Sequence, residues 1–143
     1  MTKNAKRISW IAQIIAAVIL GQSLFFKFGG APEAVQLFTA LGVEPWGRLA
    51  VGTFELVVVV LLLVPRTAAI GAIAAVGLMV GAIGSHLTVL GIDLQGDGGA
   101  LFAMALIVLA ASLTVAIIRR REIPVVGTVF KTNGERIEVT GTT

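Results

Sequence analysis

The chain contains no cysteine and no tyrosine, a single histidine, and only 13% charged residues. Without cysteine it cannot form a disulfide, exchange dithiols or supply thiolates to an iron–sulfur cluster. One histidine excludes bis-histidine haem ligation and the usual histidine-rich metal site built by this chain alone. The phosphate-binding GxxxxGK[ST] and dinucleotide-binding GxGxxG patterns are also missing. Metal, haem and nucleotide cofactors are therefore not expected, no catalytic residue is assigned, and enzymatic chemistry is expected only as part of a complex.

What is present is apolar. Hydrophobic residues make up 57% of the 143, and the mean hydropathy is +0.97, well outside soluble globular usage. A span needs about 20 apolar residues to cross a hydrocarbon core about 30 Å thick. Four segments qualify: about Ile8 to Phe28, Trp46 to Val64, Ala68 to Leu90 and Gly99 to Ile118. The first is too long for a removable signal peptide, lacks a small-residue cleavage site, and reads as an anchor. The expected fold class is an all-α integral membrane protein, a bundle of four transmembrane helices over residues 1–121 followed by a short tail, residues 122–143.

The pI near 10 reflects a net charge of +3. Its cations flank the apolar segments: Lys3, Lys6 and Arg7 before the first, Arg66 between the second and third, Arg119, Arg120 and Arg121 after the fourth. That pattern sets membrane orientation and does not suit nucleic acid, which is not expected as a partner. It predicts both termini and the Arg66 turn on the cytoplasmic side, with Trp10 and Trp46 at opposite interfaces. The loop "GIDLQGDGG", with Asp93 and Asp97 and no base, then faces outward.

Between the first two spans, Pro32 can open a helix on which Val35, Phe38 and Leu41 follow at helical spacing, with Gly42 to close it. We expect a short interfacial helix with Glu33, Gln36 and Thr39 toward water. In the tail, "VFKTNGERIEV" places strand-like residues around Asn133-Gly134, a type I′ hairpin signal. Gly71, Gly77, Gly81 and Gly84 in the third span, including the Gly77–Gly81 GxxxG step, predict close helix packing, within the bundle in preference to a dimer face. "GQSL" at Gly21 and "GSHL" at Gly84 form a repeat too weak to use.

Glu55 sits inside the second span, where an ionised side chain costs roughly 2.5 to 3.5 kcal/mol on insertion scales. Counting about 1.5 Å per residue from the outer helix ends, Glu55 lies about 13 Å deep, Gln22 about 9 Å and His86 about 6 Å. Lys27 and Arg48 stand near the outer rim, and Arg48, Gly52 and Glu55 share a helical face at i, i+4 and i+7. These positions predict an outward polar pocket built from Gln22, Lys27, Arg48, Glu55 and His86, while the inner half offers little beyond Gln13, Ser112 and Thr114. Each residue has a plainer use: Lys27 and Arg48 as snorkelling cations, His86 as a neutral packing residue, and Glu55 as a structural latch, paired or protonated.

"GQSLFFKF", "LGVEPWGRLAVGTFELVVVVLLLVPRTAAIGA" and "MVGAIGSHL" together resemble the DoxX family of small four-helix bacterial membrane proteins, including its DoxX-like branches, over roughly Ile8 to Ile118. The matching positions are Lys27 closing the first helix, Leu41 to Pro45 entering the second, Glu55 within it, Pro65 with Arg66 at the turn, and His86 late in the third. The resemblance implies a multi-pass protein of the bacterial inner membrane that serves as a quinone-facing or redox-associated subunit, with quinone as the cofactor and a redox enzyme as protein partner. Physics accommodates this, since a His or Lys donor can hold a quinone carbonyl and a carboxyl can exchange its proton. The alternative is a non-enzymatic scaffold or chaperone whose polar cluster only fixes its helices. Membrane lipid is a partner under either reading, and a homo-oligomer is compatible with both.

Overall fold

The computed structural model describes residues 1–94 and 96–123. Helix α1 spans Lys3–Phe28, α2 Pro32–Ala40, α3 Trp46–Leu63, α4 Ala68–Ser85 and α5 Ala100–Ile118, with a π-helical segment His86–Leu90 continuing α4 and a 3-10 turn Arg120–Glu122 after α5. Four of these helices, counting α4 together with its π-helical continuation, are long and apolar enough to cross a membrane. The hairpin expected around Asn133-Gly134 lies outside the described residues.

The side-chain oxygen of Thr2 accepts the Ala5 N–H at 3.1 Å and starts α1 at Lys3, ahead of its apolar run. At 26 residues α1 is about 39 Å long, more than the hydrocarbon thickness, so its basic first turns extend past the apolar layer. Pro32 opens α2 at N1, where its missing N–H is no loss. Gly42, at φ +75°, closes it: the Gly42 N–H reaches the Thr39 carbonyl and the Val43 N–H the Phe38 carbonyl, the paired bonds of a Schellman cap. Glu33, Gln36 and Thr39 are exposed, and Phe38 is buried at 5% exposure.

Helix α1 packs on α3 and α5, and α4 packs on the same two, closing a ring of spanning helices. Helix α2 lies at one end against α1, α3 and the π-helical segment. At the axis sit Ala16, Ala72 and Ala75 among Leu20, Val58, Leu62, Met79, Val108 and Val115. Small side chains let backbones approach closely where no hydrophobic force separates helix from lipid. Outside, Ile11, Val18, Val60 and Ile117 are exposed, as a lipid-facing surface requires.

The glycines divide differently from the sequence expectation. A Cβ on Gly71 would meet Leu61 Cβ and Leu62 N at 2.9 Å, so this glycine sets the α3–α4 approach. Gly77, Gly81 and Gly84 have nothing within 4 Å of a Cβ. Packing of the GxxxG step inside the bundle is thus not what this helix does: helical phase places Gly71 on the buried face with Ala68, Ala72 and Ala75, whereas Gly77 and Gly81 fall on the exposed face.

In the turn between α3 and α4, Pro65 has no N–H to give the Leu61 carbonyl, and the Thr67 hydroxyl donates to it at 3.0 Å instead. At the other end Asp97 organises the loop before α5. Its Oδ1 accepts the N–H groups of Gly99 at 2.8 Å and Leu94 at 3.1 Å, and its Oδ2 that of Leu101 at 3.2 Å. These bonds, Gly99 and Leu101 foremost, hold the Asp97 carboxyl below its ordinary pKa of 3.8.

Candidate functional site

Core-facing positions of α1 recur as Ser9, Gln13, Ala16, Leu20, Ser23 and Lys27, steps of three and four residues that form one stripe. On α3 the corresponding stripe is Arg48, Gly52, Glu55, Val58 and Leu62. Where the stripes meet near the α2 end, Lys27 Nζ donates to Glu55 Oε1 at 3.0 Å, with side-chain exposures of 14% and 4%. The ammonium also bonds the Ser23 hydroxyl. Lys27 therefore turns inward to the carboxylate, and its snorkelling toward water is not what the geometry shows. Gly52 makes room: a Cβ there would lie 3.3 Å from the Phe28 ring and 3.5 Å from Lys27 Cβ.

Arg48 stands above this pair without touching the carboxylate. Its Nε donates to both oxygens of Glu44, at 2.9 and 3.1 Å, and its Nη1 to the Lys27 backbone carbonyl. That carbonyl belongs to the last turn of α1, which lacks intrahelical donors, so Arg48 ties the end of α1 to α3. Glu55 Oε2 is buried and has no hydrogen-bond partner among the described residues.

Two expected members stand apart. Gln22 is exposed on α1, one position out of phase with the stripe, and Ser23 takes the place expected for it. His86, 5% exposed, opens the π-helical segment, and its Nδ1 lies 2.9 Å from the Gly91 carbonyl. A carbonyl can only accept, so Nδ1 carries the hydrogen and Nε2 is the nitrogen left for another group. The ring packs edge-on against Phe102 at 5.7 Å, and among the described residues no hydrogen bond joins it to Glu55. The segment ends where the Gly91 N–H bonds the His86 carbonyl at 2.7 Å, the i to i+5 step of a π-helix, a form frequent at functional sites.

A second polar cluster occupies the opposite end, richer than the sequence suggested. Arg119, only 4% exposed, donates from Nε to Ser9 Oγ at 2.8 Å. Ser9 passes its hydrogen to Gln13 Oε1 at 2.7 Å, and Gln13 Nε2 donates to the Leu62 carbonyl at 2.6 Å. Arg119 Nη1 also reaches Glu122 at 3.1 Å and the Pro65 carbonyl at 3.5 Å. The Leu62 carbonyl needs an outside donor because α3 stops at Leu63. Buried Ser112, about two turns before Arg119, has no partner for its hydroxyl among the described residues. A signal for this cluster existed: Val108, Ser112, Val115 and Arg119 are spaced i, i+4, i+7 and i+11, which places the arginine on the core face and not among the flanking cations. Among the described residues, no group of three or more His, Cys, Asp or Glu side chains is placed to hold a metal.

The family model described as DoxX-like matches residues 11–116. No curated protein and no solved structure matches the chain. The matched stretch runs from within α1 to near the end of α5 and takes in Lys27, Arg48, Glu55 and His86. On that match over most of its length, this chain belongs to the DoxX-like family.

Proposed function

We propose that the protein is a quinone-facing, redox-associated subunit of the bacterial inner membrane, with both termini cytoplasmic and the Lys27–Glu55 pair near the outer side. One observation carries this reading: Glu55 Oε2, buried and without a partner among the described residues, on a carboxyl whose other oxygen is held by Lys27. A buried polar atom without a partner costs about 1–3 kcal/mol, and a ligand hydrogen-bonded there would relieve it. The reduced form of a quinone supplies two hydroxyl donors, and as it passes two electrons to a redox partner it releases two protons. On the protein side, Lys27 orients and neutralises the carboxylate, Glu55 Oε2 accepts a hydrogen bond and then a proton from a ligand hydroxyl, and Gly52 and Arg48 fix the distance between α1 and α3. His86 Nε2, with Nδ1 committed to Gly91, is a second group able to face a ligand. Arg48 acts through Lys27 and Glu44 as a positioning residue, and the placement of Gln22 gives it no part.

The test is co-extraction in mild detergent followed by mass analysis for bound quinone, together with Glu55→Gln. Bound quinone in the wild type that is lost from the folded variant supports the reading. No quinone in either, with partner-dependent activity intact in Glu55→Gln, refutes it. The refuting outcome favours the scaffold reading, which has its own observation: Lys27, through Glu55, and Arg48, through the Lys27 carbonyl, both tie α1 to α3. Orientation rests on the basic flanks; labelling of cysteines introduced at Asp97 and Lys3 should mark the first from outside and the second from inside, and the reverse would overturn it.

A further inference from the structure

Between α1 and α5, at the end that carries the Arg119 cluster, lies an apolar groove of about 420 Å³ lined by Ile8, Ile11, Ala12 and Ile15 from α1 and Ile107, Ala110, Ala111 and Thr114 from α5. Its volume falls within the roughly 300–1,000 Å³ of small-molecule sites. From Ile8 to Ile15 it runs about 10 Å along the helix axis, most of the depth of one leaflet of a core about 30 Å thick. Alanines make it: Ala12, Ala110 and Ala111 leave a trough between ridges of Ile8, Ile11, Ile15 and Ile107, all four of them exposed.

The end of the trough at Ile8 is cationic. Arg7 precedes Ile11 by one turn of α1, and Arg121 lies in the 3-10 turn after α5, two residues past Arg119, whose Nε donates to Ser9 beside Ile8, so both arginines belong to this end of the groove. Both are exposed, and neither forms a salt bridge among the described residues. Lys3, Lys6, Arg66 and Arg120 add to the same end, where the described acid, Glu122, is taken by Arg119. At the opposite end, by contrast, Lys27 and Arg48 are both matched to carboxylates. A hydrocarbon trough capped by unmatched guanidinium groups fits an amphiphile with one long chain region and an anionic head.

We propose that the α1–α5 groove is a site for an acidic diacyl phospholipid, one acyl chain lying between Ile11 and Ile107 and the phosphate bridging Arg7 and Arg121. Guanidinium suits phosphate because its planar donors pair with two oxygens at once. Basic pockets between spanning helices on the cytoplasmic side hold acidic headgroups by the same physics. The site is separate from the Lys27–Glu55 pair and does not depend on the quinone reading.

The full chain, purified in detergent, is offered equal amounts of phosphatidylglycerol and phosphatidylcholine, and retained lipid is counted by native mass spectrometry. One phosphatidylglycerol should be kept in at least about five-fold preference to phosphatidylcholine, about 1 kcal/mol. The double variant Arg7→Gln/Arg121→Gln should lose that preference. Ala111→Phe, which fills the trough and leaves every charge in place, should lose it too, and Ala110→Leu serves as the filling variant should Ala111→Phe not fold. Equal retention of both lipids overturns the proposal. So does a preference that survives a filled trough, since that marks diffuse attraction to the basic end.

Discussion

Removing the Lys27 ammonium tests whether the Glu55 pair holds the bundle together. In Lys27→Met the carboxylate, at 4% side-chain exposure, loses its 3.0 Å partner and keeps only whatever the Ser23 hydroxyl can turn to give it. Breaking a buried pair from one side costs about 3–5 kcal/mol, because the remaining charge stays desolvated. Glu55→Leu leaves an amine that is more exposed, at 14%, already bonded to Ser23, and near the end of α1, where it can swing to water. Its loss should be smaller, about 1–3 kcal/mol. With both groups gone no charge is stranded, so Lys27→Met/Glu55→Leu should be more stable than Lys27→Met alone, with a coupling of at least about 1.5 kcal/mol. Unfolding by dodecyl sulfate in mixed micelles, followed by circular dichroism, gives the four free energies. Additive losses within about 0.5 kcal/mol, or a Lys27→Met protein as stable as the wild type, would refute the pairing argument.

Two further perturbations separate contacts the fold uses from those it leaves open. Gly71→Val should destabilise by about 1–3 kcal/mol in the same unfolding assay, since even its Cβ would press on the Leu62 backbone nitrogen; Gly81→Ala, with open space at its Cβ, should hold or gain stability by up to about 1 kcal/mol from helix propensity. Equal effects at the two sites would contradict the packing described. Because the folded Asp97 carboxyl lies below its ordinary 3.8, it binds its proton less readily folded than unfolded. Its contribution is therefore fully present above that ordinary value and lost as pH falls through the lowered folded one. Melting temperatures followed from about pH 6 to about pH 3 should drop more steeply for the wild type than for Asp97→Asn, and parallel curves would count against the loop-capping role.

Much of the architecture was legible because membrane insertion is a one-dimensional constraint. Apolar runs long enough to span, Pro32 at the start of α2 and Gly42 at its end all act locally, through hydrophobic thickness and backbone dihedrals. The helical phase of Arg48, Gly52 and Glu55 is likewise a property of the sequence alone. Depth counting, however, says how far into the bilayer a residue lies and not which way it points. It grouped Gln22 and His86 with Glu55, whereas Gln22 is turned outward and His86 bonds Gly91 through Nδ1 and packs on Phe102, with no hydrogen bond to Glu55 among the described residues.

Only the tertiary structure decided which buried groups meet. Lys27 pairs with Glu55 because Gly52 lets the end of α1 close on α3, and a cation counted at the rim becomes an internal one. Arg119, by position one of a run of flanking arginines, is drawn inside because the start of α1 brings Ser9 and Gln13 against the α3–α4 turn, whose carbonyls need donors. Whether a glycine serves packing or faces lipid was settled the same way, by which helix lay opposite it. Sequence composition fixes what a residue must find in a membrane, since an unpaired polar group is costly there; the packing of distant segments fixes where it finds it.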